Sequence, residues 1–211
     1  MKIPSKKECY KLIGKMEMMD HIVSHSILVS HVATFLVDQL GKQQTDLNRD
    51  MVQASALLHD ITKTRSFKTK ENHAHTGEQL LHSLGYLEVG YIIGQHVRLE
   101  TYGTRTTILE AEIVNYADKR VLHDKVVSLK DRMAYILSKY GKVKEHRERV
   151  LWLWGKSKEL EEKIFKSLPL TPEDLSGFLD PEVCKKEFYT YGQIALPVDQ
   201  DGKKYYPAVP D

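Results

Sequence analysis

The sequence predicts an all-α protein, a bundle of helices with one small exception at its C-terminal end. Two observations carry this. Apolar residues recur at helical rather than alternating spacing along nearly the whole chain. Capping residues stand ahead of these runs and glycines close several of them.

Taken in order, Ser5 caps a first helix running to about Met19. Asp20 caps a second, in which Ile27, Leu28, Phe35, Leu36 and Leu40 supply the apolar positions and Gly41 ends it. Asp46 opens a third helix through Leu58. The polar, basic stretch from Thr62 to Asn72 reads as a loop. Thr76 to Leu84, stopped by Gly85, and Tyr86 to Val97 are two short helices, and Arg98 to Thr106 is a loop around Gly103. Thr107 to Leu122 is helical, with Leu109, Ile113, Val114 and Ala117 at helical spacing.

The character changes at Ser128, which sets a division into residues 1–127 and a helical C-terminal extension, 128–211, packed on the same core. Ser128 to Tyr140 is a helix closed by Gly141. Lys142 to Ser167 is a long, charged helix with Leu151, Leu153, Ile164 and Phe165 as packing residues. Thr171-Pro-Glu-Asp starts another helix, with proline near the first turn. The exception is Asp201-Gly202, which turns a small hairpin between Ile194–Val198 and Tyr205–Val209.

Composition excludes several classes. A net charge of +2 gives no warrant for a surface that coats duplex nucleic acid. No apolar stretch in the sequence approaches the roughly 18 residues that span a bilayer, and the N-terminus has no apolar signal region. Cys9 and Cys184 stand in unrelated contexts and suggest a reducing, cytoplasmic setting. Nine of the ten histidines lie between His21 and His123, which places the chemistry in the first part of the chain.

The sharpest local feature is His59-Asp60, which closes the apolar run Ala54 to Leu58. An apolar helix end suggests burial, and a buried carboxylate needs a compensating charge. His25 lies on the second helix and Asp118 within an otherwise apolar one. The four together offer two imidazoles and two carboxylates to a divalent cation; imidazole suits zinc, iron, nickel or cobalt, and carboxylate shifts the choice toward manganese or magnesium. His21 forms an i, i+4 pair with His25, whereas His31 lies about 240° around the helix from it. Both read as partly exposed helix histidines. Trp152 and Trp154 stand two apart on a helix, so at most one faces the core and the other marks a partner surface, such as a homodimer face.

The patterns His25-Ser-x-x-Val, Leu57-Leu-His59-Asp60-Ile-Thr-Lys63 and Asn115-Tyr-Ala-Asp118-Lys resemble the HD superfamily of metal-dependent phosphohydrolases over about Asp20 to Asp124. The resemblance implies an HD-type helical bundle with His25, His59, Asp60 and Asp118 as ligands of a first metal. His73-Ala-His-Thr-Gly77 and Gly85-Tyr followed by Ile92-Ile-Gly-Gln-His96 resemble elements of two-metal members, the HDIG-like subset, that include dinucleoside-polyphosphate hydrolases. By that likeness His73 and His96 bind a second metal, contact phosphate or act as general acid, and the four-residue spacing to Gly77 favours His73 over His75. The chain departs from the subset at Thr62, where glycine is usual, and at Val97, where a second histidine often follows. Asp60 would also orient the attacking water. Lys63 resembles the family's lysine, and Lys63, Arg65 and Arg98 form the expected phosphate-binding rim; Lys68, Lys70 and Arg105 lie in the same loops.

The implied activity is hydrolysis of a phosphate ester or phosphoanhydride with one or two divalent ions, on a nucleotide or dinucleoside polyphosphate. Two alternatives stand beside it: a cyclic mononucleotide or dinucleotide phosphodiesterase, and a non-catalytic sensor that binds metal or nucleotide.

Overall fold

The computed structural model describes residues 1–43, 45–102, 106–178 and 181–195. The described chain is almost wholly helical: α1 (Lys6–Lys15), α2 (Asp20–Gly41), α3 (Arg49–Leu58), α4 (Lys63–Thr69), α5 (His73–Ser83), α6 (Leu87–Gly94), α7 (Glu110–Lys119), α8 (Leu129–Tyr140), α9 (Lys144–Phe165), α10 (Leu175–Phe178) and α11 (Pro181–Ala195). A 3-10 turn, Pro172–Asp174, leads into α10, and one two-stranded hairpin, β1 (Val121–Leu122) and β2 (Lys125–Val126), follows α7.

α2 is the axis of the bundle. It is apolar nearly all round, and it packs on α3, α7, α11 and β1. A helix of that kind must be enclosed by others. Its length and composition would suit a membrane span, contrary to the expectation that no stretch would, but 72% of its most apolar 18-residue window is buried inside the fold. Enclosure within the protein accounts for its hydropathy.

Two core clusters form around it. One joins α2, α3 and α7 to Leu129, Leu160, Ile164 and Leu175 from beyond residue 128. The other joins α1, the start of α2, α3, α5 and α6 to Tyr191 of α11. Polar links secure the later helices. Arg120 donates from Nε to Val127 O (2.7 Å), from Nη1 to Tyr116 Oη and Glu161 Oε2, and from Nη2 to Pro172 O (2.7 Å). Lys163 of α9 reaches both oxygens of buried Glu112 at 2.7 Å.

Several boundaries differ from the sequence reading, each for a local reason. α1 stops at Lys15 because Glu17 takes a positive φ of 50°. Asp20 is the first residue of α2, where its charge suits the helix N-terminus, and Met19 is the cap. α3 starts at Arg49, because Asn48 rather than Asp46 caps it by accepting from Met51 N. α4 forms where a loop was expected; none of its residues is buried, so it has no apolar stripe to read. α5 begins at His73, three residues early, because Asn72 accepts from the Ala74 and His75 amides. α7 ends at Lys119 instead of running to Leu122, and His123, at φ 57°, turns the β1–β2 hairpin. Ile194 and Ala195 lie in α11 rather than opening a strand, and the expected terminal hairpin from residue 196 on, like Gly103 and Arg105, falls outside the described residues.

α11 is fastened by one carboxylate. Glu187 accepts from Tyr10 Oη of α1 and Lys6 Nζ (2.7 Å), and its second oxygen lies 2.8 Å from His31 Nε2 of α2. His31 is therefore engaged in packing rather than merely part-exposed. Burial opposes ionisation of Glu187, but its hydrogen bonds with His31, Lys6 and Tyr10 outweigh it and bring its pKa down to about 2. A folded-state value below the unfolded one means stability that is present above about 4.5 and lost as pH falls toward 2. Glu187→Gln should therefore cost about 2–3 kcal/mol at neutral pH. Urea unfolding of both proteins along a pH series should show that deficit shrinking across the same window. A deficit independent of pH would mean that packing, not charge, fixes α11.

Candidate metal centre

Six side chains converge from five places in the fold. His25 comes from the second turn of α2, while His59 and Asp60 follow the last turn of α3. His73 is the first residue of α5, His96 follows α6, and Asp118 stands in the last turn of α7. Gly77 lets α5 approach, since a Cβ there would meet Ile93 Cδ1 at 3.2 Å.

The imidazoles are oriented by backbone carbonyls. His59 Nδ1 lies 2.8 Å from Ala56 O, His96 Nδ1 2.6 Å from Ile93 O, and His25 Nδ1 3.3 Å from His123 O. A carbonyl oxygen can only accept, so each Nδ1 carries a proton, and Nε2 is the atom left to give a lone pair to an ion when the ring is neutral. Those Nε2 atoms face carboxylate oxygens. His25 Nε2 is 3.0 Å from Asp118 Oδ1, and His59 Nε2 is 3.3 Å from Asp60 Oδ2 and 3.7 Å from Asp118 Oδ1. His73 Nε2 is 3.2 Å from Asp60 Oδ1 and 3.1 Å from His96 Nε2, which itself lies 3.5 Å from Asp60 Oδ1. His59 Nε2 and Asp60 Oδ1 are buried and make no hydrogen bond among the described residues. Carboxylates and imidazoles crowded in this way need protons or a metal ion among them, and a backbone-anchored imidazole is the usual support of a metal ligand.

The donor set fits a divalent ion. His25, His59 and Asp118 form one group and His59, Asp60 and His96 another, each with ligand atoms within 4.8 Å of one another. Asp60 stands between them, Oδ2 toward His59 and Oδ1 toward His96 and His73. Protonation states suit ligation. Burial opposes charge on Asp60, but Lys63 and a protonated His59, its own pKa raised against burial by the two carboxylates, hold that carboxyl well below the usual range, and a metal ion would take the place of the His59 Nε2 proton. For Asp118, His25, His59 and Arg132 likewise overcome burial. Burial pushes His96 down to about 4, so it is neutral near pH 7.

Lys63 pairs with Asp60 Oδ2 at 2.7 Å, as its position one turn on suggests. His75 is exposed, whereas His73 reaches Asp60. Arg65 and Arg98, expected at the rim, are engaged elsewhere: Arg65 pairs with Glu71 at 2.7 Å, and Arg98 lies over the Trp152 ring at 5.2 Å. A charged loop residue gives no sequence sign of the side chain it will meet.

Sequence reasoning missed four neighbours. Thr62, where the resemblance has glycine, donates to His73 O at 2.8 Å and so fixes the start of α5. Asn115 donates to Gln95 O and His96 O, both at 2.9 Å, and secures the turn that carries His96. Buried Lys119 donates to His96 O and to Asn115 O and Oδ1. Arg132 of α8 comes within 3.9 Å of Asp118. Asn115 and Lys119 lie in the motif around Asp118, so the motif itself was the available signal; nothing in the sequence near Arg132 marks it.

Residues 22–121 match the family model described as HD domain. The chain carries an HD domain. The match covers His25, His59, Asp60, His73, His96 and Asp118, and stops short of Arg132. HD domains are generally metal-dependent phosphohydrolases. No curated protein and no solved structure matches the chain.

Protein purified without chelator should carry metal bound by the HD domain, measurable by mass spectrometry. Chelation should lower its Tm by roughly 5 °C or more. His59→Ala and Asp118→Ala should lose both the metal and the chelator response. Variants that stay folded and keep wild-type metal content would remove these residues from the ligand set.

Proposed function

We propose that this chain is a metal-dependent phosphohydrolase acting on a phosphate ester or phosphoanhydride, with a nucleotide or dinucleoside polyphosphate as the substrate class. The carrying observation is the set of three backbone-anchored imidazoles whose Nε2 atoms face two ionised carboxylates, Asp60 buried and Asp118 mostly enclosed. The nucleotide class rests on the resemblance of the His73 and His96 elements to those of dinucleoside-polyphosphate hydrolases.

A divalent cation in this setting supplies Lewis acidity toward a phosphoryl oxygen and lowers the pKa of water. The chain's own residues do the rest. Asp60, held ionised by His59 and Lys63 against its burial, orients the attacking water as an acceptor. Lys63 uses one donor on Asp60 and presents its remaining N–H groups to phosphoryl oxygens as charge develops there. His96 is enclosed and neutral, which suits ligation better than proton donation. His73 is part-exposed, its side chain 24% accessible, and stands beside Asp60, where it can hand a proton to a leaving oxygen.

With manganese, cobalt or iron supplied, the protein should hydrolyse members of a panel of nucleotides, dinucleoside polyphosphates and cyclic nucleotides. Asp60→Ala should abolish turnover. Lys63→Met should lower kcat by about 10²-fold. His73→Ala should lower kcat by roughly 10²-fold or more on alkyl phosphates, whose leaving group needs a proton, and much less on p-nitrophenyl phosphate. Equal losses on both would make His73 a ligand rather than an acid. No turnover on any substrate by metal-loaded protein would reject the hydrolase reading.

A further inference from the structure

The structure assigns Arg132, from the segment beyond the HD match, as an oxyanion clamp that grips a substrate phosphoryl group over His25, His59 and Asp118. This deepens the phosphohydrolase reading and rests on it.

Arg132 lacks the hydrogen bonds that hold a structural arginine in place. Its guanidinium is mostly enclosed, with the side chain 15% accessible, and Nε is buried without a hydrogen-bond partner. Its ion-pair partner among the described residues is Asp118, and the 3.9 Å from Nη2 to Oδ1 is beyond hydrogen-bonding distance. Arg120, twelve residues earlier, shows what a structural arginine looks like in the same fold, with Nε, Nη1 and Nη2 all donating to fixed oxygens. An enclosed guanidinium with unmet donors is costly unless an acceptor arrives.

Its position is built, not incidental. Ser128 caps α8, and Leu129 and Met133, on either side of Arg132 in the sequence, are buried. Tyr135 of the same helix packs edge-on against His123, whose carbonyl anchors His25. α8 is thus fixed to the hairpin that supports the ligand cluster, and it directs Arg132 at the Asp118 oxygen that His25 and His59 also face.

Charge balance identifies the occupant. Lys63 and Arg132 together match the charges of Asp60 and Asp118. A divalent cation among the ligands would then leave the centre in positive excess. Lys119 spends its donors on His96 O and Asn115, so it cannot bind the anion itself. The groups left with donors to offer are Lys63 and Arg132. A planar fork facing a cation site matches two oxygens of a tetrahedral phosphoryl group.

The test is inorganic phosphate binding to metal-loaded protein by isothermal titration calorimetry, with metal per chain and Tm measured on each sample. Arg132→Ala should weaken phosphate binding about tenfold or more at unchanged metal content. Arg132→Lys should recover part of the loss, and Arg147→Ala, on an exposed turn of α9, should change nothing. Arg132→Gln provides the same comparison should the alanine variant fail to fold. Wild-type phosphate affinity in these variants at equal metal content would overturn the assignment. So would loss of metal with unchanged phosphate affinity per loaded site, which would make Arg132 a support for Asp118. Metal-loaded wild-type protein that binds no phosphate would instead reject the phosphohydrolase reading as a whole.

Discussion

Two ionised carboxylates, Asp60 and Asp118, lie inside a helical bundle, and the surrounding structure is arranged to permit it. An uncompensated buried carboxylate costs several kcal/mol. Compensation comes partly from Lys63 and Arg132, while the imidazole Nε2 atoms face the carboxylates and can share with them a proton or a metal ion. The helix ends favour the same outcome. α3, α6 and α7 all terminate at the centre, and a helix C-terminus carries partial negative charge. Negative ends, carboxylates and lone pairs therefore meet in one small volume, which is a setting for a cation. α2 passes through as an apolar axis and contributes His25 from its second turn, so the cluster is anchored to the long buried helix of the bundle.

The parts legible in the sequence were those where chemistry interrupts a strong local pattern. His59-Asp60 ends an apolar run, Asp118 sits in an apolar helix, and His73 precedes a glycine by one turn; each interruption reports a side chain facing inward. α4 and the β1–β2 hairpin were not legible, because neither depends on an apolar stripe: α4 buries nothing, and the hairpin turns on one residue at positive φ. Asn48 and Asn72 shifted two helix starts, since several nearby polar residues can cap and only the packed fold chooses among them. Arg65 and Arg98 carried the right charge for a phosphate rim, but local partners, Glu71 and Trp152, hold them.

The outer helices are fastened by polar groups over apolar contacts. Glu187 gathers Tyr10, Lys6 and His31, while Arg120 gathers Tyr116, Glu161 and two backbone carbonyls. Both joints fix geometry, and at Glu187 the hydrogen bonds also outweigh the cost of desolvation. Their placement follows from that. One sets α11 against α1 and α2, and the other sets the 3-10 turn and α9 against α7, the helix that bears Asp118.

The division at residue 128, drawn from a change in composition, therefore does not separate a working part from an appendage. Leu129, Leu160, Ile164 and Leu175 share one core cluster with α2 and α7. A side chain on α8 comes closer to the centre than either arginine of the expected rim does to an acidic ligand. The HD match ends at residue 121, with the ligands inside it and Arg132 outside. A ligand set constrains its residues to narrow geometry, whereas an anion clamp needs only reach and charge and can come from whichever element covers the mouth. In this chain α8 is positioned to do so, and on the proposed assignment the contact with the anion would come from the segment that carries no motif.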